Sequence, residues 1–264
     1  MQERLEWIRL QPAAWAHWEP VRGGLDAQAL LAARYPQSQA LLVEADGVRA
    51  QAAARHVQPP WWQRWRAQRQ RVVQDVPEGA VQMLWANMAL HLAPDPQALI
   101  AQWHRALAVD GFVMFSCLGP DTLRELRALH AQMGWPAPAH EFTDMHDLGD
   151  MLVHSGFAEP VMDMERITLT FETPQRLVQE LRELGRNFSR TRFGGLRTRG
   201  WLARWQAALL EHGARDAQGR FKLTFEVIYG HALKPVARPR VKAHSEIALD
   251  DMRQMLSQRR SSDA

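Results

Sequence analysis

From Pro12 to about Pro120 the chain alternates short apolar runs with helical stretches, the rhythm of βαβ units that feed a parallel sheet. Strands are expected at Ala13–Trp18, Ala40–Glu44, Ala80–Trp85 and Phe112–Cys117. Leu25–Tyr35 and Pro96–Leu107 read as helices, each closed by a turn signal, "YPQS" after the first and "AVDG" after the second. The outline is doubly wound. With 264 residues and 46% hydrophobic composition the chain can bury one ordinary core, so one domain is expected over residues 1–235. The stretch 236–264 holds Pro239, mixed charge and little periodicity, and is expected to be a mobile tail.

Beyond Cys117 the Gly119-Pro120 pair breaks the strand. Thr122 and Glu125 stand at capping-box spacing for a helix with Leu123, Leu126, Leu129 and Met133 on one side. Further on, "ERITLTFE" and "FKLTFEVIYG" alternate apolar and polar residues, as two half-buried antiparallel strands do. The stretch between them, Pro174 to Gly213, is helical in pattern, broken by "FGGLRTRG", and too long for a hairpin loop. It reads as a helical insertion over the sheet's active edge.

Several function classes drop out. The single cysteine, Cys117, allows no internal disulfide and no cysteine-based zinc cage, and closing an apolar strand it should be inert. No apolar run approaches a membrane span, and Glu3, Arg4, Glu6 and Arg9 stand where a signal peptide needs an apolar centre, so a cytoplasmic protein is expected. His140 and His146 lack the spacing of a helical metal site, and no metal is expected. The formal charge is only +3, but arginines crowd Arg55–Arg71, Arg182–Arg204 and the end of the chain. Trp61, Trp62 and Trp65 lie among the first group at helical spacing, which suits packing better than a nucleic-acid or membrane surface.

In a doubly wound sheet, ligands bind outside the carboxyl ends of the strands, and the first strand-to-helix turn uses glycines so that backbone can approach them closely. Gly23-Gly24 stands at that turn. Glu44, ending the second strand, can accept both hydroxyl hydrogens of a ribose. A tight turn and a solvated strand-end glutamate fit the same residues, so this pair leaves two readings open.

The runs "LLAARYPQSQALLVE", "LWANMALHLAPDPQALIAQWHRALAVDGFVMFSCLGPDTLRELR", "EFTDMHDLGDMLVHSGFAEPVMDMERITLTF" and "FEVIYGHALKP" together resemble the S-adenosylmethionine-dependent malonyl-acyl-carrier-protein O-methyltransferases of biotin synthesis. The similarity covers almost the whole chain and is most specific in "LGPDTLRELR" and "FEVIYGHALKP". The arginine-modifying assembly factors of respiratory complex I share "DLG…L…GF". The resemblance implies a class I methyltransferase fold: an α/β, Rossmann-like seven-stranded sheet, its last strand antiparallel, with a helical insertion (174–213) before it.

Family members carry an acid and then Gly-x-Gly-x-Gly after the first strand. Counting back from "RYP", the matching positions are Glu19, Val21, Gly23 and Leu25, so the acid and the middle glycine remain while two side chains replace the outer glycines. A β-branched residue such as Val21 cannot take positive φ cheaply. By the same resemblance Glu44 is the ribose-binding acid, and Asn87 follows the fourth strand at the mouth of the methyl-donor pocket. His91 stands where glutamine is usual, and Asp75 is the sole match for the aspartate beside adenine. The chain begins where relatives have finished an N-terminal helix over the cofactor, so part of that lid is expected to be absent.

Methyl transfer from a sulfonium needs positioning and dryness rather than a fixed nucleophilic triad. An acceptor carboxylate needs an arginine; Arg124, Arg127 and Arg192 are the candidates, and solvation of all three is the plain alternative. Arg186, Arg190, Arg192, Arg197, Arg199 and Arg204 suit an acidic acyl carrier protein, or a solvated helical face. Two functions are therefore carried. One is an S-adenosylmethionine-dependent O-methyltransferase acting on the free carboxyl of a malonyl-carrier thioester, with Glu19, Gly23, Glu44 and Asn87 around the cofactor. The other is a methyltransferase-like binding or assembly protein that has lost the cofactor, as Val21 and Leu25 suggest.

Overall fold

In a computed structural model of the chain, residues 1–58 and 69–236 are described. Trp61, Trp62, Trp65 and the expected tail from residue 237 onward lie outside them. Seven strands form one sheet: β1 Ala14–Trp18, β2 Gln39–Val43, β3 Gln70–Val73, β4 Val81–Ala86, β5 Leu107–Leu118, β6 Ala158–Phe171 and β7 Phe221–Leu233, in the order β3-β2-β1-β4-β5-β7-β6. Neighbours from β3 to β5 are parallel, and β7 runs antiparallel to both β5 and β6. The strand order reverses between β1 and β4, and at such a switch point the carboxyl ends of the strands open a crevice.

Successive strand residues point to opposite faces, and both faces are covered, so the central strands read as continuous apolar runs. Ala16, Leu84 and Val113 pack with Ile100 and Trp103 on one face; Trp15, Met83 and Phe112 pack with Leu31 and Tyr35 on the other. Leu5, in the short 3-10 helix Gln2–Trp7, is fully buried in the second cluster. A third cluster joins the helix Arg124–Gln132 to the two insertion helices, Pro174–Glu183 and Arg199–His212, through Leu126, Leu129, Leu177 and Trp205, closing over Phe221, Leu223 and Phe225 of β7.

Two expectations need correction, and three elements were not expected. The segment "AVDG" is not a turn that ends a helix but part of β5, where the register against β4 shifts between Val81 and Met83. Asp110 takes a φ of 61° there, and its N–H donates to the Lys234 carbonyl at 2.8 Å, so the bend is held by the end of β7 rather than by solvent. The Thr122–Glu125 capping box does not form. Leu123, at φ 58°, occupies the N-cap without a side-chain bond; Glu125 instead accepts from the Thr224 N–H at 2.8 Å and hydroxyl at 2.6 Å, while the Thr122 hydroxyl donates to the Glu226 carbonyl at 3.2 Å. Both polar side chains at the right spacing are claimed by β7, a partner about a hundred residues away. Finally, β3 and the helices Gly47–Val57 and Met145–His154 have no counterpart among the expected elements. For β3, four residues, three half-buried and one exposed, are too few to show an alternation.

Candidate functional site

The crevice is built from the turns that follow β1, β2 and β4. After Trp18 the chain takes one left-handed residue, Glu19 at φ 46°, and Pro20 at the first helical position starts a single turn, Pro20–Gly23. Gly23 lies flat on the end of β4: a Cβ there would run into the Asn87 carbonyl oxygen. Asn87 fixes the pairing by donating its amide to the Gly23 carbonyl and accepting from the Ser116 hydroxyl at 2.6 Å. The glycine is thus required by protein contact. Gly24, at φ 100°, faces open space and supplies the left-handed step into the helix Asp26–Arg34.

Glu44 is fully buried, and both of its oxygens are engaged. Oε1 accepts from the Val21 N–H at 3.0 Å and Oε2 from Arg49 Nε at 3.0 Å; the same guanidinium lies 3.7 Å from Glu19. Desolvation works against the Arg49 charge, yet the Glu44 bond and charge outweigh it and raise the group above its usual value. In this conformation Glu44 is not free for a ribose: a diol reaches it only when Arg49 leaves. Asp75, the candidate for the adenine side, is bound by Gln102 Nε2 at 3.1 Å in the turn between β3 and β4.

Beside this cluster, under the insertion, lies a cavity of about 610 Å³. Its walls are apolar, with Leu118, Leu126, Phe142, Leu181, Phe188 and Phe225 among them. His91 enters it from the turn after β4 and His140 from the segment after the helix Arg124–Gln132. Burial, and then the neighbouring His140, push His91 down to about 4, so it is neutral at pH 7. Its Nδ1 accepts from the Leu118 N–H at 3.4 Å, which leaves the ring proton on Nε2. His140 Nε2 donates to the His91 carbonyl at 3.0 Å, and Phe142 stands edge-on to both rings.

None of the three arginines singled out for an acceptor is in this cavity. Arg124 is exposed and paired with Asp121 and Glu125. Arg127 is structural, donating to the Thr122 carbonyl at 3.1 Å and the His140 carbonyl at 2.8 Å. Arg192 donates to the Ser189 carbonyl at 3.1 Å and lines a separate, shallower cleft near Trp201 and Trp205. The cavity's arginines are Arg22, from the turn after β1, and Arg186, from the insertion. Arg22 was hidden because its position falls in the glycine-rich loop, where a cation has no counterpart in the family pattern. Cys117 is buried, and desolvation lifts its thiol to about 12, as the inert reading requires.

Comparison with known proteins is decisive at the sequence level. The malonyl-[acyl-carrier protein] O-methyltransferase of Gallionella capsiferriformans is 38% identical over 247 residues, spanning 90% of this chain and 82% of that protein. The chain belongs to the malonyl-[acyl-carrier protein] O-methyltransferase family. The family member from Methylovorus sp. is 38% identical over 244 residues, spanning 90% of this chain and 81% of its own. That of Laribacter hongkongensis is 41% identical over 180 residues, which is 67% of this chain and 57% of the relative. No protein-family model matches. Among solved structures, YcgJ of Bacillus subtilis superposes with a TM-score of 0.55 at 11% identity, over 85% of this chain and 93% of that one. The phosphoethanolamine N-methyltransferase 2 of Haemonchus contortus gives 0.50 at 15% identity, over 88% and 51%. These carry the fold: the class I methyltransferase sheet that the family resemblance implied.

Proposed function

We propose that this chain is an S-adenosylmethionine-dependent O-methyltransferase that esterifies the free carboxyl of a malonyl-carrier thioester in biotin synthesis. What carries the reading is the 38% identity to the Gallionella enzyme over 90% of the chain, which runs through the acceptor-side segments as well as the nucleotide half. The geometry supports it in two ways. An apolar cavity at the switch point can hold a thioester arm and keep water from the reacting carboxylate, and positioning with dryness is most of what such a transfer needs. Above it, Arg186, Arg190, Arg192, Arg197, Arg199 and Arg204 are all exposed, interspersed with exposed Leu184, Phe188, Phe193 and Leu196. A basic surface studded with apolar side chains suits an acidic carrier protein.

Glu19, Gly23, Glu44 and Asn87 are the groups proposed around the cofactor, with Arg49 leaving Glu44 as a condition of ribose binding. The second reading, a methyltransferase-like binding protein, draws on the same Arg49–Glu44 pair. The test has two measurements: calorimetric titration of the purified chain with S-adenosylhomocysteine, and methylation of malonyl-carrier with labelled S-adenosylmethionine. Micromolar binding with formation of the methyl ester is expected. Absence of both, at any ratio of ligand to protein, would reject the enzyme and leave the binding protein.

A further inference from the structure

The apolar cavity is charged differently at its two ends. Its outer wall, from the insertion, brings Arg186 together with Glu183, so that end carries both signs. At the other end, where β1 and β4 finish, stand Arg22, Met88 and His91. His91 is neutral at pH 7, which makes Arg22 the one permanent cation on that side among the described lining residues. The Arg22 guanidinium has five N–H donors and gives one, Nη1, to Glu19 at 3.3 Å. Among the described residues the guanidinium has no other hydrogen-bond partner, and the side chain is 40% exposed. Its backbone is held: the neighbouring Gly23 carbonyl is gripped by Asn87, and the neighbouring Val21 N–H by Glu44.

We infer that Arg22 anchors the free carboxylate of the acceptor, while the thioester end of the same molecule leaves the cavity past Arg186 toward the basic insertion. The inference rests on the acceptor proposed above and adds what orients it. A planar guanidinium grips a carboxylate in a fixed plane, which decides the face it presents to the crevice. The wall between the two ends, with Leu118, Leu126, Phe142 and Phe225, is apolar and suits the uncharged arm. An acceptor reversed in the cavity would put its carboxylate where Arg186 is accompanied by Glu183, so the comparison of Arg22 with Arg186 is what decides its direction.

The experiment is calorimetric titration of the full chain, with and without S-adenosylhomocysteine, using malonyl-pantetheine and its carboxylate-free analogue propionyl-pantetheine. Wild type, Arg22→Met and Arg186→Met are compared. Wild type should bind the malonyl compound at least about tenfold more tightly than the propionyl one, as a charge-assisted contact implies. Arg22→Met should abolish that preference while binding propionyl-pantetheine as wild type does, which a merely misfolded variant would not. Arg186→Met should keep the preference. A preference that survives in Arg22→Met overturns the anchor and leaves the malonyl acceptor standing, and the same holds if Arg186→Met is the variant that loses it. If wild type does not discriminate, or binds neither compound, both the anchor and the acceptor reading fall.

Discussion

Arg49 donates to Glu44 at 3.0 Å, and by that bond the helix Gly47–Val57 closes over the fully buried carboxylate at the end of β2. The guanidinium occupies Oε2, one of the two carboxylate oxygens a ribose diol would use. Arg49→Ala should therefore bind S-adenosylhomocysteine about tenfold more tightly than wild type, some 1.4 kcal/mol. It should also unfold about 1–2 kcal/mol more easily, since it leaves Glu44 without its cation, a loss moderated by the partial exposure of Arg49. Calorimetry and urea unfolding measure the two effects. Equal affinity in the two proteins would mean that Arg49 does not compete with the cofactor.

Gly23→Ala should be severely destabilising, by about 2–3 kcal/mol, because the added methyl meets the Asn87 carbonyl, which is backbone and cannot rotate away. Gly24→Ala has open space around its Cβ and pays only for its positive φ, about 1 kcal/mol. Chemical unfolding of the two variants should rank them in that order. The reverse ranking would show that the turn does not lie against β4 as described.

Stability should fall as pH drops below about 6.5. Burial lowers His17 to about 4 despite its 3.0 Å bond to Gln28, and His91 to about 4 as well. Their folded values lie below the unfolded one, so the contribution is complete above pH 6.5 and is lost as pH falls toward 4. Each histidine should remove about 1.4 kcal/mol per pH unit across that window. Urea midpoints at pH 7 and pH 5 test this, and His17→Leu should show a distinctly smaller drop than wild type. A midpoint that does not move between the two pH values would contradict the burial of these rings.

Reversing the charge of the insertion, by Arg190→Glu with Arg199→Glu, should raise the KM for malonyl-carrier about tenfold and leave kcat nearly unchanged, because these side chains are exposed and act on encounter. The wild-type KM should climb with ionic strength and the variant's should not. Steady-state assays at two salt concentrations decide it. A change in kcat alone would assign the arginines to the cavity instead.

Much of the sheet was legible because its strands bury both faces: Trp15 to Trp18, Ala40 to Val43, Val81 to Trp85 and Phe112 to Cys117 read as apolar runs whatever surrounds them. The two long strands β6 and β7 were visible by alternation, though β6 begins well before the stretch that alternates cleanly. Glu19, Gly23, Glu44 and Asn87 were found as the residues at the carboxyl ends of β1, β2 and β4, and the structure brings them into one cluster there. What could not be read was their partners. Arg49 five residues past Glu44, and Arg22 in the turn after β1, are ordinary surface arginines in a linear chain.

By itself the amino-acid sequence determined the doubly wound sheet, the helical insertion and the family, because these depend on periodicity and on motifs that are local in the chain. The tertiary structure alone decided which polar groups are spent and which are free. Thr122 and Glu125 have capping-box spacing but serve β7, Arg127 is consumed by two carbonyls, Glu44 by Arg49 and Val21, and Arg22 is left facing the cavity. A buried donor or acceptor takes whichever partner folding brings within about 3 Å. In this protein that partner often lies on another strand.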